Sequence, residues 1–177
     1  PGPRLYQPSA PMAAIARRAH GEVRYADGGD VAAAARLAAQ SDVAVVFVEQ
    51  WTAESFDMPS LALPGNQDAL VEAVAKANPR TIVVLENDGP VAMPWLDRTG
   101  AVLEAWYPGA AGGEAIARLL YGEVDPSGRL PVSWPRDASQ LPRPRIPGAG
   151  LASIGLPPQG QPALQVTTAS KAPTSVT

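Results

Sequence analysis

Apolar positions in this chain fall into two kinds of run. "DVAVVFV" (residues 42–48) and "RTIVVLEN" (residues 80–87) are short, β-branched and free of polar alternation. A strand with one wet face alternates with a period of two, so unbroken runs of this length predict strands covered on both faces, as in a parallel sheet. Between them, "GNQDALVEAVAKANP" carries a helical period. Leu70, Val71, Val74 and Ala77 share one face, and Pro79 ends the element. "GDVAAAARLAAQS" predicts a helix with Asp30 near its start, and "AGGEAIARLLYGE" another. "PMAAIARRAHG" predicts a short helix stopped by Gly21, with basic residues where the helix dipole favours them. "EVRYA" and "GAVLEAWYPG" predict two more strands, and "GRLPVSWP" a last short extended segment. The alternation predicts an α/β fold: a mostly parallel sheet with helices on both faces, joined by right-handed crossovers. From about Arg136 the periodicity stops. "RDASQLPRPRIPGAGLASIGLPPQGQPALQ" is rich in Pro and Gly and predicts an extended or disordered tail.

In parallel α/β sheets ligands sit beyond the carboxyl ends of the strands. "VVFVEQWTAESFDMPSLALPG" (residues 45–65) leaves a buried strand at that rim and carries Glu49, Trp51, Glu54 and Asp57. "ENDGP" and "WYPGAAGG" follow other strands and face the same way. Two readings account for the carboxylates. One is a polar loop over the sheet end. The other is a general acid whose pKa is raised by apolar neighbours or like charge. Trp51 is either a platform for a sugar face or a packed aromatic. Asp42 and Glu72 fit solvated strand or helix ends. The glycines of "PGAAGG" open a helix, but the segment lacks the Lys-Ser/Thr of a P-loop and the spacing of a dinucleotide fingerprint. Close packing of a helix against a strand is their better use.

The bulk numbers narrow the classes. A chain of 177 residues, 46% hydrophobic and 18% charged, suffices for one domain with a core. A net charge of −3 supplies no basic field for nucleic acid or anionic lipid. No apolar run approaches a membrane span. With no cysteine and one histidine, His20, neither a metal site nor a bound cofactor is expected. A Ser-His-Asp triad would need His20, which reads as a helix end before a turn.

The run from about Pro8 to Pro144 resembles the C-terminal α/β sandwich domain of glycoside hydrolase family 3, the family of β-glucosidases and exo-glucanases. The pieces that carry the resemblance are "ESFD", "LPGNQDALVEAVAKANP", "AWYPGAAGGEAIARLLYGEVDPSGRLPVSWP" and "QLPRP", in this order and spacing. The resemblance implies a flavodoxin-like sandwich and a retaining, two-domain enzyme acting on a β-linked oligosaccharide or glucoside. A preceding (β/α)8 barrel would carry the sugar pocket and the nucleophilic Asp. Glu54, in Glu54-Ser55-Phe56-Asp57, corresponds to the general acid/base. Glu49 is the runner-up; with Trp51 it shapes the pocket rim, and Asp57 holds the loop. Ser55 and Met58 stand where the family often has Gly and Arg. No barrel and no nucleophile motif occur in this chain, so alone it is expected to be inactive or nearly so. The alternatives are a stand-alone sugar-binding or barrel-complementing module, and a flavodoxin-like nucleotide binder, against which the missing phosphate motif counts. The compartment is open, although many relatives are periplasmic or secreted.

Both ends depart from the family pattern. The sandwich is expected to lack its first strand, so that residues 1–135 form a partial domain and residues 136–166 the Pro/Gly-rich tail. Residues 167–177, "TTASKAPTSVT", are expected to be out of frame. Their codons, read one nucleotide earlier, can spell the family-like segment "DYSIEGADVGY".

Overall fold

The computed structural model describes residues 9–52, 58, 60–142 and, as backbone, 166–169. In chain order the elements are α1 (Pro11–Ala16), β1 (Val23–Ala26), α2 (Val31–Ala39), β2 (Val43–Glu49), α3 (Gln67–Ala77), β3 (Thr81–Glu86), β4 (Ala101–Glu104), α4 (Gly112–Leu120) and β5 (Val166–Ala169). Their boundaries have local causes. Pro11 opens α1, where its missing N–H costs nothing. Asp30 caps α2 by accepting from the Ala33 N–H at 2.9 Å. Asn78 takes an extended backbone after α3, and its Nδ2 donates to the carbonyls of Ala38 and Ser41. That ties the carboxyl end of α3 to the end of α2, and Pro79 prevents the helix from continuing.

β2, β3 and β4 are parallel neighbours. The unbroken apolar runs are explained by two cores. On one face Ala44, Val46, Val48, Val83 and Leu85 pack against Ala34, Ala38, Leu70, Val71 and Val74 of α2 and α3. On the other, Val45, Phe47 and Val84 meet Ala14, Ile15, Ile116 and Ala117 of α1 and α4. Each of the larger side chains contributes about 1.5–3 kcal/mol by leaving water. The expected α/β fold, with a parallel sheet and helices on both faces, is what the chain adopts.

The sheet order is β1-β5-β2-β3-β4. β5 runs antiparallel to both β1 and β2, so those two are parallel to each other and one strand position apart. In a doubly wound order 2-1-3-4-5 this is the place of the first strand. Here β5 occupies it, crossing the boundary drawn above between residues 166 and 167. The rest of the tail, residues 143–165 and 170–177, lies outside the described residues. "GRLPVSWP" joins no ladder among the described residues. Leu130 and Val132 are exposed, whereas Trp134 turns inward and its Nε1 donates to the Val91 carbonyl at 2.7 Å.

The glycines of "PGAAGG" pack closely, but not against a strand. A Cβ on Gly113 would lie 2.7 Å from the Pro11 nitrogen and 2.9 Å from the Ser9 carbonyl oxygen. The partner is the segment that starts α1, because the short helices α1 and α4 lie side by side on one face of the sheet.

Candidate active site

The parallel register sets the site. Glu49, the last residue of β2, is paired with Glu86, the last of β3. Both side chains point to the α1/α4 face by strand alternation, in step with Phe47 and Val84. Beyond them lies a cleft of about 330 Å³, lined by Glu49, Gln50, Trp51, Glu86, Tyr107 and the Pro108–Gly113 turn, among others. Glu86 is pushed above the usual carboxylate range, first by burial and then by the charge of Glu49. Two carboxyls side by side, one of them holding its proton more tightly, can both donate to and accept from hydroxyl groups.

The exit of β2 is clamped at two points. Gln67 is fully buried at the start of α3. Its Oε1 accepts from the Glu49 N–H at 2.7 Å, and its Nε2 donates to the carbonyls of Glu49 at 2.8 Å and Pro64 at 3.0 Å. On the other side the Tyr107 hydroxyl donates to the Gln50 carbonyl at 2.6 Å and stands 3.2 Å from Thr52 Oγ1. Tyr107 is presented by a tight bend: Trp106 has a φ of 53°, and its N–H donates to Glu104 Oε1 at 2.7 Å. A tryptophan in the left-handed region is a strained residue that its surroundings hold in place.

Of the residues singled out from sequence, Glu49 and Trp51 come together at this cleft. Trp51 is 53% exposed, so its indole face is open and is not a packed core aromatic. Glu54 and Asp57 fall on residues 53–57, outside the described residues. They follow Thr52, the last clamped residue, directly in sequence. Sequence reasoning missed Glu86, Tyr107 and Gln67. Glu86 ends "RTIVVLE" one residue past the apolar run, as Glu49 ends β2, and that shared ending was the available signal. Among the described residues no group of three or more His, Cys, Asp or Glu is placed to hold a metal ion, and no helix is long and apolar enough to cross a membrane.

The sequence profile of the glycosyl hydrolase family 3 C-terminal domain matches residues 3–162. The chain is 45% identical over 109 residues to a β-glucosidase of Rhizobium radiobacter, covering 60% of this chain and 13% of that protein. It is 50% identical over 111 residues to β-glucosidase B of Emericella nidulans, with the same two coverages, 60% and 13%. Among solved structures it is similar to the β-glucosidase from Kluyveromyces marxianus in complex with glucose, with a TM-score of 0.63 and 40% identity over 67% of this chain and 15% of that one. It is also similar to DesR, a β-glucosidase from Streptomyces venezuelae in complex with D-glucose, with a TM-score of 0.58 and 54% identity over 59% and 14%. The chain thus spans about one seventh of the length of these relatives. The profile, the relatives and the folded sheet agree that this chain belongs to the C-terminal domain of glycoside hydrolase family 3, a family of glycosidases.

Proposed function

We propose that this chain is the portion of a retaining β-glucosidase that supplies the general acid/base, Glu54, to an active site shared with a barrel domain. The observation that carries the reading is the clamped exit of β2. Gln67 and Tyr107 fix residues 49–52 beside a carboxyl-rich cleft with an open indole, and the Glu54 segment begins at the next residue. A loop that must bring one carboxyl to a bond held by another domain needs a rigid base.

Retention requires two carboxyl groups about 5–5.5 Å apart on opposite sides of the anomeric carbon. Glu49 and Asp57 stand too close to Glu54 along the chain to flank a sugar from the far side. The nucleophile is, as the family resemblance implies, an Asp of the barrel. As it attacks the anomeric carbon, Glu54 gives its proton to the leaving glycosidic oxygen. Glu54, now a carboxylate, takes a proton from water, whose oxygen attacks the glycosyl-enzyme ester and releases the sugar and the Asp. Trp51 and Glu49 line the sugar at the rim, and Asp57 holds the loop. The substrate class is a terminal β-D-glucoside.

Incubating the purified 177-residue chain with an aryl β-glucoside tests the division of labour. The expected result is no turnover above buffer. Turnover that Glu54→Gln abolishes would mean that both carboxyls reside here. The exposure of Trp51 at the cleft favours a second reading, a module that binds sugar without catalysis. Saturable quenching of tryptophan fluorescence by glucose, lost in Trp51→Ala, would support it.

A further inference from the structure

The cleft at the ends of β2 and β3 holds negative charge that its walls do not balance. Glu49 and Glu86 both line it, and no Lys, Arg or His does. Neither carboxyl has an ion-pair partner among the described residues. Burial raises Glu86, and the charge of Glu49 raises it further, so the two carboxyls repel each other. One feature of the walls acts the other way. Gly112 and Gly113 start α4 there, and a helix N-terminus carries about half a positive charge. The Gly113 N–H is already spent on Ser9 Oγ at 2.9 Å, and half a charge does not offset two carboxylates.

A third polar group belongs to the same space. Gln50 lines the cleft and is only 3% exposed. Its N–H donates to the Glu86 carbonyl at 3.1 Å, and its carbonyl accepts from the Tyr107 hydroxyl. Its side-chain amide has no hydrogen-bond partner among the described residues. A buried amide is costly to leave unpaired, so this one is set for a ligand that brings donors. Trp51 and Tyr107 supply exposed ring surface at the mouth, and ring faces attract cations through their quadrupole. The larger cleft along β4, about 670 Å³, offers no such access: Glu104, which shares it with residues 125–130 and Trp134, has one oxygen taken by the Trp106 N–H and the other buried.

We propose that the rim cleft selects glucosides whose leaving group carries an ammonium ion, held by Glu49 and Glu86 beside Trp51. This rests on reading Glu54 as the general acid. Glu54 protonates the leaving oxygen, and residues 49–52 are the base of its loop, so the cleft adjoins the leaving group. The sugar pocket belongs to the barrel in that reading. The ammonium supplies N–H donors to the two carboxylates and to Gln50 Oε1, and its charge relieves their mutual repulsion.

The test is a fluorescence titration of the 177-residue chain with 2-aminoethyl β-D-glucoside and with propyl β-D-glucoside, in which a methyl group replaces the ammonium. Trp51 is the reporter at the cleft. At pH 7.5 and low salt the aminoethyl glucoside is expected to quench saturably and to bind about tenfold more tightly than the propyl glucoside. The advantage shrinks several-fold in 0.5 M NaCl. Glu49→Gln and Glu86→Gln each reduce it, while leaving propyl glucoside binding unchanged. Glu49 is exposed at the strand end, so its variant keeps the fold and suffices if Glu86→Gln does not. Equal binding of the two glucosides, an advantage that survives Glu49→Gln, or no saturable quenching by the aminoethyl glucoside at tens of millimolar would each overturn the proposal. The titration involves neither turnover nor Glu54, so its failure leaves the general-acid reading standing, and an inert Glu54 would leave the titration unchanged.

Discussion

Carboxyl groups in this domain are sorted by what surrounds them. Glu114 and Glu123 sit on the surface beside Arg18, whose hydrogen bonds hold both below the usual carboxylate range. Glu86 and Glu104 sit at strand ends, where burial pushes them up, Glu104 to about 7. The two kinds act oppositely on stability. A depressed carboxyl contributes stability that is lost as pH falls through its folded pKa. A raised one favours the folded state while it is protonated, and that contribution is lost as pH rises from the ordinary value of 4.5 through about 7. Thermal denaturation should therefore show Tm falling between pH 5 and pH 8. Glu104→Gln should remove much of that fall and raise Tm at pH 8. A Tm at pH 8 that drops in Glu104→Gln would show that the ionised carboxyl is instead held by a favourable partner. Sequence alone offered Glu104 only as part of a strand running into a turn. The residues that share its cleft, 125–130 and Trp134 among them, come from farther along the chain, which no local pattern announces.

At the scale of elements, legibility follows how local the cause is. β2, β3 and α3 were readable because their apolar positions record the faces they bury. Leu70, Val71 and Val74 are fully buried, as the helical period predicts. The rim position of Glu49 and Trp51 was readable for the same reason, since it lies one step beyond an apolar run. The pairing of Glu49 with Glu86 was not, because a register belongs to two strands at once. The close approach of α1 and α4 was half readable: the glycines promised a tight contact, but not its partner. It makes a firm prediction. Gly113 also donates from its N–H to Ser9 Oγ at 2.9 Å, so the backbones cannot separate cheaply to admit a methyl group. Gly113→Ala should cost about 1–3 kcal/mol in urea denaturation with little change in m-value. Gly128→Ala, where a Cβ meets nothing within 4 Å, is the control and should be neutral. Equal effects of the two substitutions would remove the packing argument.

For the whole molecule, the sheet's least local feature is β5. "VTTA" has no period that marks it, and it follows a long Pro/Gly-rich stretch, so its place between β1 and β2 could not be read from the chain. Without it β1 has no ladder partner among the described strands, and one side of β2 becomes an open edge beside a core of Val and Phe. Deleting residues 166–177 should lower Tm by about 5 °C or more and promote association through the exposed edge. An unchanged Tm and a monomeric elution profile would show that the sheet does not depend on that strand.

The central claim is that this domain delivers the general acid/base through Glu54 and relies on another domain for the nucleophile. It is tested most directly by grafting residues 43–142 in place of the matching segment of the Kluyveromyces marxianus β-glucosidase, to which this chain is 40% identical. The rate of aryl β-glucoside hydrolysis is then compared with that of the Glu54→Gln graft, with and without azide. The account predicts an active graft and a loss of about 10²–10⁴-fold in the variant on a substrate whose leaving group needs a proton. On a substrate with an activated leaving group, where loss of the base limits the variant, azide, which needs no base, should restore the rate and yield a glucosyl azide of retained configuration. A Glu54→Gln graft as active as its parent, or one that azide cannot rescue while Glu49→Gln behaves as predicted here for Glu54, would contradict the claim.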